Sequence, residues 1–120
     1  MARIALLCPD LLFGSKVEGG LGIAGHTVNR FDSAEPLRTA AQFHDLVIVD
    51  LTADGLDGPA LVTSMRERGE LESTPTLGFY SHVDQETRRR AEEAGVSRVV
   101  PRSRMAREMA ALVDGLLEQP

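Results

Sequence analysis

The stretch HDLVIVDLTADGLDGPAL, residues 44–61, decides the fold. Leu46, Val47, Ile48 and Val49 form an unbroken apolar run, the pattern of a strand buried on both faces inside a parallel sheet. Asp50 follows at once, where such a strand runs out into a loop. In open α/β sheets the carboxyl ends of the strands are where ligands and chemistry sit. Asp50 either performs chemistry there or only caps a strand end.

Working outward, apolar runs alternate with helix-like segments. Candidate strands cover residues 3–8, 26–31, 45–50, 76–80 and 97–100, and helical patterns cover 11–24, 35–42, 58–69, 84–94 and 103–118. Strand–helix alternation at this spacing predicts a parallel sheet with helices on both faces. With no dinucleotide fingerprint in the first turn, the expected architecture is the flavodoxin-like doubly wound sheet, strand order 2-1-3-4-5, as a single domain over residues 1–120.

The bulk numbers agree with one such domain. The chain has 120 residues, 42% of them hydrophobic, and a formal net charge of -5. The acidic balance argues against a nucleic-acid partner, whose phosphates would repel it. One cysteine, Cys8, cannot form an internal disulfide, which makes a reducing cytoplasm the natural compartment. No apolar run reaches the roughly 18 residues of a membrane span, and MARIALLC is too short for a secretory signal.

Among the helical patterns the last is the clearest. Met105, Met109, Leu112, Val113 and Leu116 recur at helical spacing and read as core. In the fourth, Val83, Thr87, Ala91 and Ala94 make a narrow apolar stripe that Gly95 ends. Arg88, Arg89 and Arg90 are balanced there by Glu86, Glu92 and Glu93, as on a solvated face. The first pattern carries Gly14, Gly19, Gly20 and Gly22, each costing a helix about 1 kcal/mol relative to alanine. A soft helix is expected. Asp10 and Asp84, just before helical patterns, are N-cap candidates.

Several motifs fail on context. GLGIAG, residues 20–25, matches G-x-G-x-x-G but has the helix before it and the strand after, the reverse of what a pyrophosphate needs. DLTADG, residues 50–55, opens like a calcium loop, yet its twelfth position is Leu61 instead of a glutamate. Ser81–His82 lacks the glycine elbow of a nucleophile, and His26 and His44 lack metal-ligand spacing. Gly78, inside the fourth strand, signals close approach by a packed helix or a ligand.

In the expected sheet the carboxyl ends of strands 1, 3, 4 and 5 converge. They bring Cys8, Pro9 and Asp10, then Asp50, then Tyr80 and Ser81, then Arg102. A carboxylate, a hydroxyl and a cation at that edge, together with VIVDLTADGLDG, TPTLGFYSHVD and AEEAGVSRVVPRS in this order and spacing, resemble the receiver domain of two-component response regulators over nearly the whole chain. The resemblance places Asp50 at the phosphoacceptor, Asp57 and Gly58 at the end of the acceptor loop, Tyr80 at the switch position and Arg102 at the conserved lysine.

The chain also departs from that pattern. The two acidic positions that hold Mg²⁺ in the family read Cys8 and Pro9, with Asp10 one residue late. A thiol and an imide are poor partners for a hard cation. Tyr80 sets its hydroxyl a ring's length away, and Ser81 would replace it only if the strand slipped by one, which flips every side chain. Arg102 keeps the charge with a different donor geometry and is followed by Ser103 in place of proline. Asp54 replaces the loop proline and adds negative charge.

What the resemblance then implies is a non-enzymatic pseudo-receiver: a signal-transduction module acting by protein contact, without phosphorylation and without a cofactor. Its partner, another protein or a second copy, would meet the face of helix 4, strand 5 and helix 5, where Arg88, Arg89, Arg90, Glu92, Arg104 and Arg107 make a charged surface. A first alternative is a conventional receiver phosphorylated on Asp50, with Mg²⁺ recruited by Asp10. A second is an anion or small-molecule site at the same edge, built from Ser15, Lys16, Ser81, His82, Arg102 and Ser103.

Overall fold

The structure is a computed structural model and describes residues 1–81 and 85–119. Five strands alternate with five helices: β1 (Arg3–Leu7), α1 (Leu11–Ile23), β2 (Thr27–Phe31), α2 (Ala34–Ala41), β3 (Leu46–Asp50), α3 (Gly58–Glu67), β4 (Thr76–Tyr80), α4 (Gln85–Glu93), β5 (Arg98–Pro101) and α5 (Arg102–Leu117). The strands form one sheet in the order β2-β1-β3-β4-β5, every pairing parallel. This is the flavodoxin-like arrangement that the alternation predicts.

The sheet works because its two central strands are apolar on both sides. All five residues of β3 and of β4 are buried. On one face Ile4, Leu6, Ile48, Leu77 and Phe79 pack against Val17 and Leu21 of α1 and Met105, Met109 and Val113 of α5. On the other Ala5, Leu7, Val47 and Val49 pack against Leu37 of α2, Val62 and Met65 of α3 and Ala91 of α4. Each large side chain fully withdrawn from water contributes about 1.5–3 kcal/mol before entropy is counted. The alternation of Cβ directions along a strand divides these residues between the two layers.

Sequence and structure differ mainly at element ends. Cys8 and His26 fall outside β1 and β2. The His26 ring accepts the Ala2 N–H on Nδ1 and meets Asp114 of α5 at 3.0 Å, while His44 joins Ala40 and Asn29, so both imidazoles tie elements together. α1 stays helical through its glycines, and at two of them a side chain has no room. A Cβ on Gly14 would lie 2.7 Å from Arg30 Cδ, and one on Gly20 would collide with Met109. Gly25, the last residue of GLGIAG, has φ +98° and ends the helix as a left-handed stop. The close approach expected at Gly78 comes from a loop and not from a packed helix. The Leu51 side chain from the loop after β3 covers it.

The expected α5 core residues Met105, Met109, Leu112, Val113 and Leu116 are all buried. Asp10 caps α1, accepting the Phe13 N–H at 3.1 Å, whereas the cap candidate Asp84 and the stripe residue Val83 lie outside the described residues. Among the described residues no helix is long and apolar enough to cross a membrane.

Candidate functional site

The ends of β1, β3 and β5 bring Cys8, Asp10, Asp50 and Arg102 together at the carboxyl edge of the sheet. Asp50, the last residue of β3, is 1% exposed. Its Oδ1 accepts the Thr52 N–H at 3.2 Å, the i+2 turn that an Asp side chain makes with its own loop. Its Oδ2 accepts from Arg102 Nη2 at 3.4 Å and lies 4.0 Å from Cys8 Sγ. Arg102, the first residue of α5, also donates Nη1 to Asp10 Oδ2 at 3.0 Å. One guanidinium therefore bridges the carboxylate that ends β3 and the one that caps α1.

Aromatic rings fix that guanidinium in place. Its carbon lies 4.5 Å from the centre of the Phe13 ring and 5.8 Å from that of Phe79. The two rings pack with centroids 5.0 Å apart, and cation–π attraction adds to the ion pairs. Arg102 Nε is buried without a hydrogen-bond partner among the described residues.

Burial holds the Asp50 carboxyl above its ordinary range, with the Asp10 charge adding to it, against the Thr52 N–H and Arg102, which act downward. Burial, then the Asp50 charge, pushes the Cys8 thiol up to about 11. Cys8 is thus a protonated, apolar neighbour whose Sγ lies 3.6 Å from the Asp10 carbonyl. Asp10 moves the other way, held below the usual carboxylate value by the Phe13 N–H and Arg102.

These donors do not suit the divalent cation that the receiver resemblance implies. Cys8 is a soft, protonated thiol, Pro9 has no side-chain donor, and Asp10 is committed to the helix cap and to Arg102. Among the described residues no three His, Cys, Asp or Glu side chains converge as metal ligands.

The remaining expected residues spread around this centre. Tyr80 ends β4 without a register slip, Asp50 pairing with Phe79, and its ring is buried in the layer of α2, α3 and α4. Ser81, just beyond, donates its N–H to Thr52 Oγ1 at 2.9 Å, and the two hydroxyls meet at 2.9 Å. Asp57 caps α3 through the Ala60 N–H and takes both oxygens to Arg90 Nη2 at 2.9 Å. Gly58 is buried beneath Leu51. Asp54 is exposed on the loop.

The anion-site residues do not assemble as expected. Ser15 and Lys16 sit a full turn inside α1, exposed, and Ser103 is exposed in the first turn of α5. His82 lies outside the described residues. Arg102 already holds two carboxylates. Two participants, Thr52 and the Phe13 ring, had no site role in the sequence reading. The only signal for Thr52 is its place two residues after a strand-end Asp.

The comparisons bear on the fold. No family model matches the chain. It is 35% identical over 72 residues to the transcriptional regulatory protein QseB of Escherichia coli O157:H7, a match covering 58% of this chain and 33% of that relative. The chain thus spans about a third of the relative's length. A putative response regulator from Chloroflexus aurantiacus superposes with a TM-score of 0.87 at 22% identity, covering 98% of both chains. The chemotaxis protein CheY4 of Vibrio cholerae superposes with a TM-score of 0.85 at 17% identity, over 97% of this chain and 98% of that one. The fold is that of a response-regulator receiver domain, as the residues around Asp50 implied.

Proposed function

We propose that the chain is a receiver-fold signalling module that works through protein contact and does not depend on phosphorylation of Asp50. The observation that carries this reading is the Arg102 bridge between Asp50 and Asp10, with the Cys8 thiol where the family resemblance expects an acid. Phosphoryl transfer to a carboxylate needs placed positive charge for the incoming group. Here the cation is already committed to two anions. The signalling surface is the outer face of α4, β5 and α5, as the resemblance implies, toward a protein partner or a second copy. Its arginines carry acidic neighbours: Arg88 with Glu92 at 3.6 Å and Arg104 with Glu108 at 3.3 Å.

The test is incubation with acetyl phosphate and Mg²⁺ followed by intact-mass measurement, beside partner capture by wild type and Asp50→Asn. No added phosphoryl mass and equal capture are expected. A phosphoryl adduct lost in Asp50→Asn, with capture that needs it, overturns the proposal. That outcome favours the second reading, a conventional receiver, which is supported by Asp50 standing at the end of β3 within reach of a cation on α5 and bonded to Thr52, whose hydroxyl meets that of Ser81.

A further inference from the structure

We infer that Arg102 is the resident cation of this site, a built-in group that occupies the gap between Asp10 and Asp50 and keeps a divalent metal ion out. The inference rests on the reading of Asp50 as the centre of the site and concerns what regulates access to it.

Three observations meet on the guanidinium. Its two terminal nitrogens reach different carboxylates, Asp10 at 3.0 Å and Asp50 at 3.4 Å, so it spans the space in which an ion shared by those carboxylates would sit. The Phe13 ring, 4.5 Å from its carbon, gives it a fixed surface to lie on. The Arg102 side chain is 31% exposed and that of Asp50 is 2% exposed, so the cation lies on the solvent side of the acid it pairs with. An incoming dication must cross the guanidinium's field to reach Asp50, and like charges at such short range in a partly desolvated site repel strongly. Cys8 offers a soft sulfur 4.0 Å from Asp50 Oδ2 where a hard dication needs another oxygen ligand.

The sequence provides this closure through the departures that remove a conventional metal site. Losing acids at positions 8 and 9 takes away the ligands that would outweigh the repulsion. Moving the acid to Asp10 gives Arg102 its second anchor. Arginine supports the bridge because its planar fork donates to two acceptors at once, which an ammonium does less well.

The experiment is a Mn²⁺ titration followed by amide NMR, in which bound Mn²⁺ broadens nearby signals. In wild type, residues 8–13 and 50–53 are expected to keep their intensities. In Arg102→Gln the same residues broaden, with apparent Mn²⁺ affinity about tenfold or more above wild type, as expected once a positive charge leaves two carboxylates. Asp50→Asn added to Arg102→Gln abolishes the gain. Arg102→Met, which keeps the aliphatic stem against Phe13, serves as a second variant. Site-centred broadening in wild type equal to that of a variant overturns the inference, as does a folded variant that gains nothing. If neither variant folds, wild type decides alone: site-centred broadening overturns, and its absence supports. Partner capture is unaffected by either result in wild type, so failure here is separable from failure of the functional proposal.

Discussion

The Leu51 side chain rests on the backbone of Gly78. A Cβ at position 78 would lie 2.7 Å from Leu51 Cδ1, and one on Gly58 would lie 2.9 Å from Leu51 Cα. The first residue after Asp50 is thus held between β4 and the start of α3, which fixes how the chain leaves Asp50.

Gly78→Ala meets the movable end of a side chain, so a loss of about 1 kcal/mol is expected; Gly58→Ala meets backbone, and its loss is about 2–3 kcal/mol. Urea unfolding measures both as shifts in midpoint at constant slope. Equal losses would mean that the Leu51 backbone yields as readily as its side chain.

Asp50→Asn is expected to raise the melting temperature at neutral pH. Burial lifts the Asp50 carboxyl, so the folded state holds that proton more tightly than the unfolded chain. The wild type therefore loses stability as pH rises from the ordinary Asp range through the raised folded value. Asn keeps the acceptor for the Thr52 N–H without the buried charge. The gap between the two proteins closes as pH falls, and melting curves across pH read it. Wild type more stable at neutral pH would mean that the Arg102 pair outweighs burial.

Cys8 should resist thiol reagents in the native state. Its thiol stands at about 11 and its side chain is fully buried. At pH 8 the native protein reacts with a disulfide reagent only at the rate of opening, and at the ordinary free-cysteine rate once unfolded. Asp50 is the second cause of the shift, so in Asp50→Asn the thiol titrates lower than in wild type. Fast reaction of native wild type would contradict the buried placement.

Asp57→Ala removes both the α3 cap and the Arg90 pair. A loss of about 1 kcal/mol is expected from the cap. Arg90→Ala removes only a half-exposed pair, at a cost of about 0–1 kcal/mol. A double-mutant cycle separates the two. An Arg90→Ala loss matching that of Asp57→Ala would make α4 docking, instead of the cap, the main role of Asp57.

The fold was legible because its evidence is local. The run from Leu46 to Val49 and the alternation around it predict a parallel sheet, and β4 has the expected bounds. Ends were less legible where one residue serves two elements: Pro101 closes β5 and caps α5, so the strand runs later and the helix starts earlier than periodicity suggests. The expected strand order brings Asp50, Asp10 and Arg102 to one edge, and the family resemblance gives them roles. Periodicity alone leaves Asp50 a strand-end carboxylate. What no local pattern carries is the pairing of side chains far apart in the chain, such as Thr52 with Ser81 or Phe13 with Arg102. Ser15 and Lys16 do not serve as expected because they lie past the first turn of a helix that begins at Leu11, beyond its free N–H groups.

Asp10 and Arg102 are separated by 92 positions, one just after the first strand and the other just after the last. Their contact closes a loop of nearly the whole chain, and such closures carry a large chain-entropy cost that docked intervening strands reduce. An incompletely folded molecule that lacks a seated β5 therefore has an open, unbridged Asp50. The same arginine that defines the site thus also reports that the domain has finished folding.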